Sequence, residues 1–374
     1  MKIAIITNSF KKSTLEATKL TTLQLAKYFN SRNHKTIVIG EKTRNLKTTE
    51  LMDSVKIYRK AIVLNNSIFF TRLNQLISAP KTIKYAEKKE NIKFDIIHNI
   101  SASPLHVIRL LLSNPFSKTK KIHTIKSISK SRLGYLATPL MNLIDKVIVN
   151  NELVGKKLIR LGLNKSKIRL IRSSIDLKKF KPYKKTTKTP TVFFYGPFTE
   201  RKGINYLINA IPLVIKENPK VKFILSVKFN NYDKKYDQLI SDLYIKDNVK
   251  IITTKEKINL PKYISNADIV VLPYPNLIAT ESNPLSIFES MACKTPVITS
   301  DLKELRVLLK HKETALLAKP KSPKSIAENI LLLLSNKRLK SKLTRNGFKL
   351  SKEFGLKKIA NQHLKLYKSI SKQS

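Results

Sequence analysis

The chain is predicted to be an α/β protein built from two doubly wound parallel-sheet domains. Three observations carry that expectation. Short β-branched apolar runs alternate with amphipathic stretches of helical spacing, which is the pattern of parallel strands covered by helices on both faces. The alternation halts at a polar bridge and begins again beyond it. Finally, 374 residues are enough for two cores of ordinary domain size.

In the first series, Ile3–Ile6, Thr36–Ile39, Asp95–His98 and Val147–Val149 read as strands buried on both faces. Leu20, Leu23, Leu25, Ala26 and Phe29 recur at the spacing of a helix between the first two. The bridge runs from Lys178 to Pro190, rich in Lys and Thr and punctuated by Pro182 and Pro190. Beyond it, Val192–Tyr195, Val221–Leu225, Val249–Ile252, Asp268–Leu272 and Pro296–Thr299 read as strands, and Ile204–Ile215, Pro284–Ala292 and Ser325–Leu334 as helices. Two basic helical stretches follow Asn336, the last running from about Leu356 to Ser371. Two such halves are expected to face each other across a cleft at the carboxyl ends of their strands, where open α/β sheets bind ligands.

Charge narrows the partners. The chain has 73 Lys plus Arg against 25 Asp plus Glu, a formal net charge of +48. That field attracts polyanions, anionic lipid or phosphorylated substrates. The cations are mostly lysines scattered along the chain, without interleaved aromatics, a zinc pattern or a recognised reading module, so nucleic acid is disfavoured as a partner. The apolar run after Met1 is too short for a signal sequence before Thr7-Asn8-Ser9, and no apolar run reaches the roughly 20 residues of a membrane helix. A single cysteine, Cys293, fits a reducing compartment. A cytoplasmic protein, peripheral to an anionic membrane face at most, is expected.

Two constellations carry chemistry. The first is Tyr195-Gly196-Pro197-Phe198-Thr199-Glu200-Arg201-Lys202-Gly203, leading from a strand into a helix. Gly196 permits a sharp exit from the sheet, and Arg201 and Lys202 stand before a helix start that favours anions. The set suits a diphosphate clamp, and equally an ordinary connection with solvated cations. The second runs from Glu281 through Ser282-Asn283-Pro284-Leu285 to Glu289 and on to Ile298. Asn283 is suited to cap the helix and Pro284 to be its first residue. Glu281 then lies at the helix mouth, placed to accept hydrogen bonds from sugar hydroxyls, and Glu289 in the second turn, placed for a ribose diol. A capped core helix with Glu289 on its exposed face fits the same pattern.

This second segment, Glu, seven residues, Glu, then Ser-Met-Ala-Cys-Lys-Thr-Pro-Val-Ile, resembles the signature of family 4 retaining glycosyltransferases, whose GT-B fold pairs two Rossmann-like domains. Phe94–His98, Asp145–Val149, Ile175–Pro182 and Ser300–Leu305 resemble further family segments in the same order, so the likeness covers nearly the whole chain. The resemblance implies a metal-independent hexosyltransferase with no cofactor, whose co-substrate is a nucleotide-sugar and whose acceptor is a glycan or lipid-linked. It implies that Lys202 and Arg201 neutralise the donor diphosphate, that Glu289 binds the ribose and Glu281 the transferred sugar, and that Gly196, Asn283 and Leu285 line the donor site. It also implies domains over 1–180 and 181–352, with a final helix in 353–374 crossing back to the first.

The chain departs from the family pattern at several positions. Ser9–Ala17 lacks the usual glycines, Pro284 replaces a glycine and removes an N–H, and Lys294 replaces the glycine after Cys293. Lys126 occupies the place of a frequent histidine on the acceptor or sugar side, and His123 is expected to be structural. Two other readings therefore stand beside the transferase: a catalytically weakened binding subunit of the same fold, and a polyanion- or nucleic-acid-binding protein.

Overall fold

The computed structural model describes residues 1–7, 17–42, 46–60, 68–101, 103–114, 117–126, 135–228, 233–254, 258–277 and 284–372. The chain divides into two compact units, Met1–Ser174 with Leu356–Ser374, and Ile175–Thr280 with Pro284–Gly355.

The first unit holds an eight-stranded sheet of β1 (Lys2–Ile6), β2 (Lys35–Glu41), β3 (Thr49–Met52), β4 (Val55–Lys60), β5 (Ile96–Ser101), β6 (Lys120–Ile125), β7 (Lys146–Val149) and β8 (Ile168–Leu170), in the spatial order β3-β4-β2-β1-β5-β6-β7-β8. Neighbours are parallel except β3 and β4. These two form an antiparallel edge hairpin turned by Asp53 and Ser54, both with positive φ (47° and 66°). Such a two-residue turn matches strand twist, but without an Asn-Gly pair the sequence did not reveal it.

The apolar runs are continuous because both faces are covered. Ile3, Ile5, Ile96, Ile122 and Ile148 pack on one side against helix Ala17–Asn30 and the last helix, Leu356–Ser371. Ala4, Ile6, Ile97, Val147 and Val149 pack on the other. The last helix contributes Ile359, Ala360, Leu364, Leu366, Tyr367 and Ile370 to the first of these cores, so the end of the chain completes the unit formed by its beginning.

The second unit holds β9 (Thr191–Tyr195), β10 (Lys222–Lys228), β11 (Val249–Thr254), β12 (Ile269–Leu272), β13 (Val297–Ser300) and β14 (Leu316–Ala318), all parallel, in the order β11-β10-β9-β12-β13-β14. It too is covered on both faces. The expected single helix Ile204–Ile215 is two helices, Ile204–Ile208 and Ile211–Glu217. Pro212 lacks an N–H and its ring would clash with the carbonyl of residue 208, so the first helix ends before it.

The expected boundaries also shift. The first falls at 174/175 rather than 180/181, because Ile175 and Phe180 are buried in the second unit's core and the Ile175 N–H donates to Phe354 O at 2.8 Å. The second falls at 355/356 rather than 352/353, since Phe354 stacks on Phe288 with ring centroids 3.6 Å apart. The polar bridge is pinned to the second unit: Tyr183 N donates to Ser265 Oγ, Thr186 N to Asn266 Oδ1, and Lys185 pairs with Asp268.

A histidine network ties the last helix to the first sheet. His98 is bonded through Nδ1 to the Tyr367 hydroxyl and through Nε2 to Thr124 Oγ1, each at 2.6 Å. His123 is fully buried, with Nδ1 at Asn99 Nδ2 and Nε2 donating to Ser103 O, a structural role as expected. Burial pushes His98 well below the ordinary 6.5, and pushes His123 and His363 down to about 3, with the Lys126 charge adding to the effect at His363. These imidazoles are neutral in the fold but take up protons near pH 6.5 when unfolded. Stability that is complete above pH 6.5 is therefore lost progressively as the pH falls toward 3. Urea unfolding at pH 7, 5 and 4 should show this decline, and His363→Leu should flatten it. An unchanged slope in that variant would mean that His363 does not contribute.

Candidate active site

The candidate site in the second unit is assembled at the carboxyl edge of its sheet. Strand β9 makes one more sheet contact after Tyr195, Gly196 N–H to Ser226 O at 3.0 Å, and then turns away with φ 145° at Gly196, a left-handed value that favours glycine. A single helical turn, Glu200–Lys202, follows, and Gly203 closes it at φ 72°. Lys202 N–H and Gly203 N–H donate to Thr199 O and Glu200 O within this turn. Positive charge here therefore comes from the side chains of Arg201, which is exposed, and Lys202, which is partly buried.

Strand β12 lies next to β9 and delivers Pro273 and Tyr274 to the same edge. A Cβ on Gly203 would fall 1.8 Å from the Pro273 carbonyl oxygen, so the two loops touch where no side chain fits. Lys202 Nζ then sits 5.0 Å from the centre of the Tyr274 ring. The Tyr274 hydroxyl is 2.7 Å from Ser286 Oγ. Tyr195 donates to Ser286 O at 2.7 Å and lies 3.3 Å from Glu289 Oε2. Burial and the neighbouring Glu289 charge hold the Tyr195 phenol well above its usual range, so it stays protonated beside that carboxylate.

Helix Leu285–Ala292 starts one residue later than expected. Pro284 occupies the N-cap with an extended backbone (ψ 111°). Leu285 is buried on the inner face and Glu289 is half-buried one turn further on. The helix ends in a Schellman motif, with Lys294 N–H to Met291 O and Thr295 N–H to Ser290 O. Lys294 takes the left-handed conformation that the motif demands, φ 60°. Burial pushes the neighbouring Cys293 thiol up to about 12, which keeps it protonated.

Of the sequence-predicted residues, Gly196, Arg201, Lys202, Leu285 and Glu289 lie on these adjoining segments. Glu281 and Asn283 lie outside the described residues. Lys126 is in the first unit, buried just beyond the end of β6. The positioning roles of Tyr195, Tyr274 and Ser286 were not foreseen, although Tyr195 stands at a strand end in the first motif quoted and Tyr274 just beyond β12. Among the described residues no cluster of three His, Cys, Asp or Glu side chains could hold a metal ion.

A family model described as glycosyl transferases group 1 matches residues 176–350, and one described as glycosyltransferase family 4 matches residues 20–179. The chain belongs to the group 1, family 4 glycosyltransferases. The chain is 28% identical over 179 residues to an uncharacterized glycosyltransferase of Methanocaldococcus jannaschii, covering 47% of this chain and 44% of that protein. It is 26% identical over 228 residues to the N,N'-diacetylbacillosaminyl-diphospho-undecaprenol alpha-1,3-N-acetylgalactosaminyltransferase of Campylobacter jejuni, covering 59% and 60%. The chain thus spans about half the length of the curated relatives it matches. Sucrose-phosphate synthase from Thermosynechococcus elongatus superimposes over 100% of both chains with a TM-score of 0.80 at 21% identity, a likeness of fold, which is GT-B.

The chain keeps a strained lysine, Lys294, where the resembling family pattern has glycine. A left-handed residue bearing a Cβ costs roughly 1–2 kcal/mol. Lys294→Gly should relieve that strain, offset by the greater freedom of glycine in the unfolded chain, for a net gain of about 1 kcal/mol. Equilibrium unfolding in urea checks it, and a destabilised variant would show that the Lys294 side chain, 5.1 Å from the Phe348 ring, contributes more than the strain removes.

Proposed function

We propose that this chain is a retaining transferase that moves a hexose from a nucleotide-sugar to a glycan or lipid-linked acceptor, with the donor held by the second unit. The observation that supports it most is the convergence of Lys202, Tyr274, Ser286, Tyr195 and Glu289 on one sheet edge. In this reading Lys202 and Arg201 neutralise the donor diphosphate, Glu289 binds the ribose diol and Glu281 the transferred sugar. Gly196 lets the backbone approach, and Asn283 and Leu285 line the sugar end.

The step is the one that the resemblance to family 4 retaining enzymes implies. The acceptor hydroxyl forms its bond to the anomeric carbon on the face from which the diphosphate leaves. As the carbon–oxygen bond to the diphosphate breaks, the acceptor proton passes to a leaving phosphate oxygen, and configuration is retained. No protein nucleophile is required. Lys202 and Arg201 act where negative charge grows, so their effect falls mainly on the transition state. The reading is metal-independent, and a chelator should leave the rate unchanged.

A screen of UDP-, GDP- and ADP-sugars by thermal shift tests the reading, because a ligand that binds only the folded state raises apparent stability. Glu289→Gln should weaken the stabilising donor by about 1.5–3 kcal/mol, the worth of a hydrogen bond to a charged group. Lys202→Ala should lower the transfer rate by roughly a hundredfold or more with little change in melting. Full donor affinity in the first variant, or full turnover in the second, would remove that residue from the site. A weakened binding subunit would instead bind donor without turnover in the parent chain.

Peripheral association with anionic lipid belongs to the same reading. No described helix is long and apolar enough to cross a membrane. In the first unit Leu136, Leu140, Leu143 and Ile159 are exposed beside Lys156, Lys157 and Arg160. Asn142 joins the two segments by donating to Gly162 O at 2.8 Å. Sedimentation with anionic vesicles should fall steeply with added salt. No sedimentation at low salt would favour a soluble acceptor.

A further inference from the structure

Lys185 and Lys340 of the second unit both rest on the Asp268 carboxylate. Lys202, also partly buried, does not rest on an acid: among the described residues no carboxylate pairs with it. What stands beside its ammonium is an aromatic face, the Tyr274 ring, whose centre lies 5.0 Å from Nζ.

Both sides of that contact are fixed from outside it. Gly203 follows Lys202 and Pro273 precedes Tyr274, and these two touch so closely that a Cβ on the glycine would fall 1.8 Å from the Pro273 carbonyl oxygen. The two side chains therefore leave from backbones in direct contact. The Lys202 N–H is bonded to Thr199 O at 2.9 Å, and the Tyr274 N–H to Leu272 O at 3.1 Å. The ring itself is 1% exposed, and its hydroxyl is held 2.7 Å from Ser286 Oγ on the helix that carries Glu289. A lysine stem is by nature mobile, and confining it costs entropy that a ligand must supply unless the fold has already done so.

An acid and a ring would confine the ammonium with different consequences. A carboxylate takes one or more of its three N–H donors and cancels its charge. An aromatic face attracts the cation through its quadrupole and carries no net charge of its own. An anion arriving at Lys202 then meets a pre-placed ammonium with its charge intact.

We propose that Tyr274 is a positioning residue of the donor site: its ring holds Lys202 in place without cancelling its charge, so that the chain favours a nucleoside diphosphate over the monophosphate. The inference rests on the donor reading given above and adds to it a residue that acts through Lys202, with Ser286 as the anchor of the ring.

Calorimetry on the full chain with UDP and UMP, GDP and GMP, and ADP and AMP tests this. Constant ionic strength holds fixed the general attraction that a net charge of +48 exerts on any anion. The parent should prefer the diphosphate of at least one pair. Tyr274→Leu should lose roughly tenfold of that preference or more, with monophosphate affinity unchanged. Tyr274→Phe, which keeps the ring, should keep most of it. Lys202→Ala should lose the preference as well, and the Lys202→Ala/Tyr274→Leu double variant should lose no more than Lys202→Ala alone, because the ring acts only through the lysine. Tyr274→Met serves if the leucine variant fails to fold. An unchanged preference in Tyr274→Leu would overturn the positioning role, and so would losses that add in the double variant. A loss shared equally by monophosphate and diphosphate would overturn it too, since that is what a ring that only fills the core produces. If Lys202→Ala abolishes the preference while Tyr274→Leu keeps it, the donor reading stands without this inference. If no nucleotide binds the parent, the donor reading fails and the inference with it.

Discussion

In the second unit, β9 and β12 run side by side in parallel, and the loops leaving their carboxyl ends meet at Gly203 and Pro273 with no room for a Cβ. That contact sets the position of much that follows. It brings Lys202 over the Tyr274 ring, and Tyr274 and Tyr195 both reach Ser286 on the helix that carries Glu289. A cation and a carboxylate 87 residues apart in sequence thereby come onto one edge, connected by two phenols and a serine. Because parallel strands place all their exits at the same edge, no long loop is needed to make this arrangement.

The first unit uses the same edge differently. Its strands also gather their exits, but what meets there is a lysine, two serines and a neutral histidine with no carboxylate among the described residues that line the pocket there. The last helix is needed for this, since His363 and Tyr367 both belong to it, and Tyr367 is bonded to His98 in the middle of the sheet. A chain end that looks in sequence like a basic tail is thus part of the core, with its lysines outward and its apolar side inward. The abundant positive charge elsewhere is borne mostly by exposed lysines and offers a general attraction for anions.

The core strands were legible because burial on both faces leaves runs such as Ile3–Ile6 and Val192–Tyr195 with no polar interruption. The family signatures were legible because they combine motifs in a fixed order. Other features were not. The hairpin at Asp53-Ser54 lacks a glycine, and the break before Pro212 lies within an otherwise apolar periodic stretch. The 174/175 boundary depends on a backbone bond from Ile175 to Phe354, which no local pattern records. Tyr195, Tyr274 and Ser286 acquire their roles only through hydrogen bonds between distant segments, so composition and spacing could show where they stand but not what they hold.

A crystal structure of the full chain with UDP tests the central claim most directly. The account predicts the diphosphate within reach of Lys202 and the ribose hydroxyls on the Glu289 carboxylate, beside Tyr195 in the second unit. UDP bound without contact to either residue, or bound in the first unit instead, would contradict it.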